Sequence, residues 1–573
     1  MDDRPGRELL LRIDDLSIAF QTADGLRPAV NRVSLSLNAG EILGLVGESG
    51  SGKTLLSLAA MGLLPPNARV TSGRVMFDGA DLLRAGAGAM RRLRGKRISM
   101  VFQDSMASLD PIFTCGSQLV EAILLHERVG RRQAEARALS LLDTVRIPDP
   151  PRCMRSYPHE LSGGQCQRVM VALAVACRPD VIIADEPTTA LDVTVQKQVL
   201  GLLRSLNREI GAAILLITHD LGVIYEVADR VAVIYRGDLM EQAPTAALFA
   251  APRSAYSKAL IALMPSMSAP GERLPVIELQ ADGVIRSAVR TPATPKPARA
   301  PAVAEPLLRL ESLTKTYAVR KRAFAPSQTL RAVDDVSLAI PARTTLGLVG
   351  ESGCGKSTLS RIVMRLIEPD RGRILLDGQD LAALAPAAMR RARRDMALVF
   401  QNPYGSLNPR QTVADLVAAA IDIHHGGRGR NEAAAALLDA VGLPRAAMGK
   451  YPHEFSGGQR QRIVIARALA LKPKLVICDE AVSALDVSVQ AQVLNLLQDL
   501  QADFDLTYLF ISHDMSVVRH VSDTIAVMQK GRIVESGPAA AVFDNPLDPY
   551  TKTLLGAVPK IGVSAAVPTG ATR

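Results

Sequence analysis

Short apolar runs recur along this chain, and several of them end at a glycine-rich or acidic segment. Residues Ile42–Val46 lead into a glycine-rich loop, which a helical apolar stretch over residues 55–64 follows. Two further runs, residues 181–184 and 475–478, end in pairs of adjacent acids. Short apolar runs with such boundaries are typical of buried strands. The pattern predicts an α/β chain of buried strands and intervening helices.

The apolar runs are too short for a membrane protein. A membrane-spanning helix needs about 18 or more consecutive apolar residues. The longest candidate, residues 212–235, is interrupted by polar side chains, which are His219, Asp220, Glu226, Asp229 and Arg230. The N-terminus also lacks the basic start and apolar core of a signal peptide. We therefore expect that the chain cannot span a bilayer by itself.

Composition agrees with an α/β fold and says little about partners. Hydrophobic residues make up 48% of the chain but aromatic residues only 3%, and tryptophan is absent. Cores built from Leu, Val, Ile and Ala favour α/β layers over an aromatic-rich β-sandwich. The net charge of +10 favours a mildly basic surface, with attraction to anionic lipids or nucleic acid as the alternative. Because the basic residues are scattered, charge alone does not decide between the two. The six cysteines form no CxxC pair, which indicates reduced thiols in the cytosol.

The sequence repeats itself once. GLVGESGSGKT returns as GLVGESGCGKS, YPHELSGGQCQR as YPHEFSGGQRQR, and LLITHD as LFISHD. With 573 residues, the chain is long enough for two domains. We predict a first domain over residues 1–265, a Pro/Ala-rich semi-rigid linker over 266–305, a second domain over 306–560 and a flexible tail over 561–573.

Each half contains a phosphate-binding loop of the form GxxxxGK[ST], here called the P-loop, over residues 47–54 and 350–357. Glycines let the backbone wrap around phosphate oxygens, and amides at the following helix start face the anion. The predicted nucleotide-binding residues are Gly47, Ser49, Gly50, Gly52, Lys53 and Thr54, then Gly350, Ser352, Gly353, Gly355, Lys356 and Ser357. Two copies, each between a strand and a helix, predict binding of ATP or GTP.

The acids that end the two later strands are the second chemical signal. Adjacent carboxylates at a buried strand end rarely serve stability, because burying them unpaired is costly. We predict that Asp185 and Asp479 hold Mg²⁺, together with the hydroxyls of Thr54 and Ser357. The neighbouring Glu186 and Glu480 are predicted general bases that polarise the attacking water. A solvated turn is the alternative interpretation, which the upstream P-loops disfavour.

At this point the residues resemble the ATP-binding subunits of ABC transporters, over almost the whole chain outside the linker and tail. The most specific motif is SGGQ, which general P-loop enzymes lack. It comprises Ser162, Gly163, Gly164 and Gln165 in the first half, and Ser456, Gly457, Gly458 and Gln459 in the second. The resemblance implies two tandem P-loop ATPase domains, each with a mainly parallel core sheet, an antiparallel β subdomain and a helical subdomain.

The resemblance further implies that the two halves form a head-to-tail pair with two composite sites. Each SGGQ motif, here called the signature, would complete the pocket of the opposite half, so that Lys53 faces residues 456–459 and Lys356 faces residues 162–165. No self-dimer would then be needed.

Four more residues carry implied catalytic roles. Gln103 and Gln401 are similar to glutamines that touch Mg²⁺ and sense the permease. His219 and His513 are similar to histidines that contact the γ-phosphate. A structural role is the usual interpretation of a lone histidine, but two at matching positions favour the catalytic one.

Two other pairs have weaker or indirect roles. Asp192 and Asp486 are similar to residues that couple the two sites. Phe20 and Tyr317 are candidates to stack on adenine, although an aromatic residue near a strand more often belongs to a core.

Other strings resemble the dipeptide, oligopeptide and glutathione importers. They include YPHE before the signature and the similar segments 254–260 and 548–554 near the end of each half. Many members of that subfamily carry a cysteine cluster after such a segment. This chain has none there, so we predict no iron–sulfur cluster. Cys166, Phe455 and Ala481 depart from the usual motifs without removing a catalytic group.

The resemblance implies an ATPase that energises an importer at the cytoplasmic face of the inner membrane, with ATP and Mg²⁺ as cofactors. Its expected partners are two transmembrane permease subunits, which give its only contact with the membrane, and an extracytoplasmic solute-binding protein. The solute stays open among dipeptides, longer peptides, glutathione, opines and peptide antibiotics.

Two soluble classes of tandem ATPase are the alternatives. A translation factor acting on the ribosome usually has a long charged helical linker, whereas Pro and Ala dominate here, and proline breaks helices. A DNA-repair ATPase would have a long coiled coil or a zinc cluster inside a half. We therefore expect no nucleic acid partner.

Overall fold

The structure is a computed structural model that describes residues 8–23, 25–188, 191–265, 271–279, 285–288, 305–319, 328–427, 429–483 and 485–559. The predicted tail over 561–573 lies outside the described residues, as does most of the predicted linker.

The first half alternates strands and helices. Its strands are β1 (Leu9–Thr22), β2 (Gly25–Asn38), β3 (Ile42–Val46), β4 (Ala68–Phe77), β5 (Ala80–Asp81), β6 (Ile98–Val101), β7 (Val181–Asp185), β8 (Ala213–Ile217), β9 (Arg230–Tyr235) and β10 (Asp238–Pro244). Its helices are α1 (Lys53–Met61), α2 (Ala87–Leu93), α3 (Ser105–Ser108), α4 (Cys115–His126), α5 (Arg131–Thr144), α6 (Pro150–Cys153), α7 (Gly163–Val175), α8 (Val193–Ile210), α9 (Leu221–Val227), α10 (Thr245–Ala250) and α11 (Ala255–Ala262).

A short hairpin, β11 (Val276–Leu279) and β12 (Ile285–Ala288), precedes the second half. The strands of that half are β13 (Pro306–Val319), β14 (Gln328–Pro341), β15 (Thr345–Val349), β16 (Arg371–Leu376), β17 (Gln379–Asp380), β18 (Met396–Val399), β19 (Leu475–Asp479), β20 (Thr507–Ile511), β21 (Thr524–Gln529) and β22 (Arg532–Pro538). Its helices are α12 (Lys356–Val363), α13 (Pro386–Ala392), α14 (Pro403–Ser406), α15 (Val413–His425), α16 (Arg430–Ala440), α17 (Gly457–Ala468), α18 (Val487–Phe504), α19 (Met515–Val521), α20 (Ala539–Asp544) and α21 (Pro549–Ala557).

The two halves have the same sheet topology. Each has a mainly parallel six-stranded sheet, in the order β10-β9-β3-β8-β7-β6 and its equivalent β22-β21-β15-β20-β19-β18. Each also has a four-stranded antiparallel sheet, β2-β1-β4-β5 or β14-β13-β16-β17. Helices α3 to α7 lie in the chain between edge strand β6 and its neighbour β7, and α14 to α17 lie between the equivalent strands β18 and β19. The predicted α/β fold with two tandem domains is therefore confirmed.

The central strands form where the sequence predicts them. Strands β3, β7 and β19 are buried along their whole length, as expected for parallel strands covered on both faces. The helix predicted over residues 55–64 is α1, which ends at Met61. It stops there because Gly62 adopts a left-handed conformation and its amide caps the helix end.

Part of the predicted linker packs on the second half. Residues 271–279, here called the strap, lie against α18, with the Leu274 side chain completely buried in the second half's core. The Asn495 side chain bonds both backbone groups of Leu274, accepting from its N–H at 3.0 Å and donating to its carbonyl at 2.8 Å. Arg273 forms a two-pronged ion pair with Asp499. The strap therefore fixes the end of the first half to the second half.

Among the described residues, none of the helices combines the length and the apolar character that crossing a membrane requires. All six cysteines are free thiols, and five of them are buried.

We predict that Asn495→Ala loosens the strap. The change leaves the buried N–H and carbonyl of Leu274 without partners, a loss of about 2 kcal/mol. Hydrogen exchange at Leu274, followed by mass spectrometry, should become more than tenfold faster. Asp503→Ala, on an exposed position of the same helix, is the control and should leave the exchange unchanged. Unchanged exchange in Asn495→Ala would contradict the role of this contact.

Candidate functional site

Both P-loops join a buried strand to a helix whose first amides have no side-chain cap among the described residues. Gly52 and Gly355 immediately precede these helices with φ of 98° and 112°. A Cβ atom would lie 2.9 Å from the Ala29 carbonyl oxygen at Gly52 and 2.1 Å from that of Ala332 at Gly355. Only glycine tolerates this combination of backbone angle and close approach. The loop therefore keeps its helix N-terminus open to an anion.

The P-loop lysines bend back onto the loop. Lys53 Nζ donates to the carbonyls of Gly47 and Glu48, both at 2.8 Å. Lys356 Nζ donates to Gly350 at 2.7 Å and to Glu351 at 2.8 Å. Burial lowers the pKa of Lys53, and the nearby carboxylates of the site offset only part of that effect. A phosphate placed in the loop would supply the negative charge that the buried ammonium lacks.

The two aspartates end their strands beside the P-loop hydroxyls. Burial raises the pKa of Asp185 to about 6, although a bond from Thr54 partly offsets it. Burial also raises the pKa of Asp479, whose oxygens accept from Ser357 at 3.1 Å and Ser360 at 3.2 Å. Each site thus brings one carboxylate to one P-loop hydroxyl, the arrangement that an oxygen-ligated cation prefers.

Asp185 Oδ1 is buried and has no hydrogen-bond partner among the described residues. An orphaned carboxylate oxygen next to a hydroxyl fits a small divalent cation, whose further ligands would come from water and phosphate. In the described chain, no group of three or more His, Cys, Asp or Glu residues forms a cation site of its own. The donor set fits a small oxygen-ligated cation such as Mg²⁺.

Each glutamate that follows these aspartates bonds a glutamine and a histidine. Gln103 Nε2 donates to Glu186 at 2.8 Å, and His219 Nδ1 lies 3.3 Å from the same carboxylate. In the second half, Gln401 Nε2 lies 2.6 Å and His513 Nδ1 3.5 Å from Glu480 Oε2. All six predicted catalytic residues therefore gather in two equivalent triads.

Charge stabilises both triads. Burial alone would lower the pKa of His219 and of His513, but the bonded glutamate outweighs it in each case and the pKa is raised. Burial likewise opposes ionisation of Glu480, yet His513 holds the pKa of this carboxyl below its usual value. The second triad therefore favours an ionised glutamate, which is the form that a general base requires.

The signatures begin helices α7 and α17. Ser162 accepts from the amide of Gln165, whose side chain accepts from the Ser162 amide, and Ser456 and Gln459 form the same capping box. The second glycine of each signature packs on the start of the next long helix. A Cβ at Gly164 would lie 3.0 Å from Val195, and one at Gly458 would lie 2.2 Å from Val489.

Those long helices touch the opposite half's P-loop. Asp192, before α8, accepts from the Ser352 amide at 3.2 Å, and Asp486, before α18, accepts from the Ser49 amide at 3.3 Å. Thr194 also donates to Glu351 at 3.1 Å. The signature of each half thus lies beside the residues that reach the other half's P-loop, which is the head-to-tail arrangement that the resemblance implies.

A partly open cavity lies where the two halves meet. It is lined by His219, Asp220, His513 and Asp514, and by the ends of both C-terminal segments near Pro265 and Pro559. Burial raises the pKa of Asp514, and the charge of Asp220 adds to this effect.

The aromatic candidates occupy different surroundings. Phe20 is partly buried and packs against the core of the first antiparallel sheet. Tyr317 is 37% exposed on β13, with the Lys315 ammonium 5.8 Å from its ring centre. Adenine stacking by either residue stays a prediction.

Sequence reasoning missed residues that join the halves. Glu48 and Glu351, inside the P-loops, meet Ser488 and Thr194 of the opposite half. Within the second half, sequence reasoning also missed Tyr550, which lies in a segment noted only as typical of a subfamily and bonds the Glu351 amide. The sequence did show that these residues recur at matching positions of both halves, which could have marked them as functional.

Two family models match the chain. The model described as "ABC transporter" matches residues 30–189 and 333–483. The chain belongs to the ABC transporter family. A second model, described as "Oligopeptide/dipeptide transporter, C-terminal region", matches residues 240–288 and 534–571. The chain is therefore an ATP-binding and ATP-hydrolysing subunit of a peptide-type importer, and the C-terminal region of its first half includes the strap.

Known relatives are similar in sequence to this chain along nearly its whole length. The glutathione import ATP-binding protein GsiA of Escherichia coli (strain K12) is 45% identical over 564 residues, covering 96% of this chain and 89% of that protein. The GsiA protein of Pectobacterium atrosepticum is 46% identical over 562 residues, with the same coverage.

A solved structure matches as well. The dimeric ATP-binding cassette MJ0796 in a post-hydrolysis state bound to ADP and Pi is 27% identical, and the match covers 40% of this chain and 98% of that one, with a TM-score of 0.37.

Proposed function

We propose that this chain hydrolyses ATP at two composite sites and so drives the import of glutathione-like or other short peptides through two permease subunits. The observation that carries the proposal is the reciprocal contact between each P-loop and the aspartate before the opposite long helix. Reciprocal contacts of this kind between each P-loop and the opposite half support hydrolysis coupled to closure of the two halves. The chain would act at the cytoplasmic face of the inner membrane, with a solute-binding protein on the other side.

In each site the residues would divide the chemistry as follows. Thr54, Gln103 and Asp185, or Ser357, Gln401 and Asp479, would hold Mg²⁺, which supplies charge neutralisation at the β- and γ-phosphates. Lys53 or Lys356 and the P-loop amides would bind the phosphates. The opposite signature would close over the γ-phosphate.

The triads would carry the hydrolytic step. Glu186 or Glu480 would accept a proton from the attacking water, and His219 or His513 would contact the γ-phosphate. Each glutamate is bonded to its glutamine and histidine, so that both partners orient its carboxylate.

We predict that Glu186→Gln and Glu480→Gln each disable one site without loss of ATP binding. Removal of a general base costs about 10²–10⁴-fold in rate. Single-turnover hydrolysis and ATP-binding titrations on both variants, with the double variant, test this. Asp104→Asn, next to Gln103 but outside the triad, is the control. Wild-type turnover in one single variant together with none in the other would show that the sites are unequal and would contradict the prediction.

Exposed apolar side chains on the stretch of chain that follows Gln103 support permease docking. Phe113 is 51% exposed and Leu125 68% exposed, and both line a groove between the loop before α4 and the helix itself. The second half differs at the matching positions. Counted from the equivalent caps Thr114 and Thr412, it has Gln411 and Ile423 there. We therefore propose that the two halves receive different permease segments, with the more apolar one on the first half.

We predict that Phe113→Ser combined with Leu125→Ser weakens attachment to the permeases more than Ile423→Ser does. The double change removes most of the apolar surface of the first groove, whereas the second surface is largely polar. Co-purification of the chain with detergent-extracted permeases measures the effect. Leu547→Ser, at an 81% exposed position outside both surfaces, is the control. Equal losses in both groove variants would contradict different docking surfaces.

The solute is tested on the assembled importer. With permeases and binding protein in proteoliposomes, glutathione should stimulate ATP hydrolysis if the solute is the one named for the relatives. Stimulation by di- or oligopeptides alone would keep the peptide class and overturn glutathione. Co-sedimentation of the chain with ribosomes, without stimulation by any of these solutes, would support the translation-factor alternative.

A further inference from the structure

The C-terminal region of the second half reaches back to its own P-loop. Tyr550 stands in the first turn of α21, and its hydroxyl accepts from the Glu351 amide at 3.0 Å. The phenol is partly buried, and burial raises its pKa above the usual value. The hydroxyl is therefore neutral at physiological pH and remains available as an acceptor.

That contact pins one peptide group from both sides. The Gly350 carbonyl and the Glu351 N–H belong to the same planar unit and point in opposite directions. Tyr550 holds the N–H side, and Lys356 Nζ holds the carbonyl side at 2.7 Å. A rotation of this peptide would cost Lys356 one of its backbone acceptors, so the tyrosine and the lysine stabilise the same loop conformation.

Glu351 also connects this peptide to the first half. Its side chain accepts from Thr194 at 3.1 Å, and its own carbonyl accepts from Lys356 at 2.8 Å. Helix α21 is attached to the first half as well, because Lys197 of α8 donates to the Gly556 carbonyl at 2.7 Å. Tyr550 thus bonds a residue that joins the phosphate-binding lysine to the opposite half.

We propose that Tyr550 is a positioning residue of the second ATP site, which holds the Gly350–Glu351 peptide in the orientation that phosphate binding requires. The proposal rests on the proposed ATP hydrolysis and adds a subfamily-specific residue to the site. It assigns the C-terminal region a part in nucleotide binding, through a hydroxyl that lies outside every P-loop ATPase motif named above.

The first half offers a natural comparison. Tyr256 is the matching residue, and it is completely buried with its ring centre 4.4 Å from that of Tyr235. Burial raises its pKa, and the Glu48 amide offsets this only in part. Its hydroxyl faces that amide but makes no bond of hydrogen-bond geometry to any described residue. In the second half Gln529 replaces Tyr235, and of the two tyrosine hydroxyls only that of Tyr550 makes a hydrogen bond to its P-loop among the described residues.

The test compares Tyr550→Phe with Tyr256→Phe in the full chain. Each change removes one hydroxyl and keeps the ring, so both variants should fold, as thermal melting followed by circular dichroism will verify. Loss of one hydrogen bond weakens binding by about three- to tenfold. For Tyr550→Phe we expect the KM for ATP to rise by that factor while kcat changes less than twofold. For Tyr256→Phe we expect less than a twofold change in KM.

The outcomes separate this inference from the proposed function. A KM unchanged in Tyr550→Phe, an equal rise in both variants, or a loss of kcat and melting temperature without a rise in KM would overturn the positioning role. The proposed function itself does not depend on either tyrosine. It would be overturned by a different result, the absence of ATP hydrolysis by the wild-type chain with its permeases.

Discussion

One carboxylate in each half both starts a helix and holds the other half. Asp192 accepts from the Val195 amide at 2.9 Å through one oxygen and from the Ser352 amide at 3.2 Å through the other. Asp486 does the same with Val489 and Ser49. Because one side chain serves both contacts, the start of the long helix cannot move without moving the opposite P-loop. The signature packs on that same helix start, so the geometry of both composite sites depends on these two aspartates.

The two sites have equivalent catalytic residues, but the contacts that attach the two halves to each other are not equivalent. Every catalytic side chain has its counterpart, but the strap is held by Asn495 and Asp499, whose matching positions in the first half are Gly201 and Ser205. Likewise, Lys197, which donates to the Gly556 carbonyl of α21, is matched in the second half by Ala491. The first half is therefore attached to the second through α18, and the second to the first through α21, by contacts that have no equivalent at the matching positions.

The signature helices show the same inequality. Arg460 donates to the carbonyls of Pro452 and His453 in the turn before the second signature. At the matching position, Cys166 gives a single weak contact to Pro158. A guanidinium bonded twice restrains that turn more than a thiol does. The departure from the family pattern noted in the sequence therefore changes the support of one signature and leaves its serine, glycines and glutamine in place.

Local pattern was sufficient to predict the P-loops, the strand-end acids and the signatures, because each is a short motif whose chemistry needs consecutive residues. The contacts that join the halves were harder to predict. The strap has too short an apolar pattern to stand out from a Pro/Ala-rich stretch, and its partner Asn495 lies more than 200 residues away. Tyr550 was visible as part of a repeated segment, but nothing in its neighbours indicates that its hydroxyl reaches Glu351.

The catalytic glutamates show why a correct motif still leaves the geometry open. Glu186 and Glu480 adopt φ of 48° and 51°, a left-handed conformation that costs about 1–3 kcal/mol in a residue other than glycine. Each is held there by its amide, which donates to the last residue of the adjacent strand, Ile217 or Ile511. The histidine of the triad lies two residues beyond the end of that strand. The sheet bond that maintains the strained glutamate therefore also sets its distance from the histidine, and sequence alone predicts the residues but not this coupling.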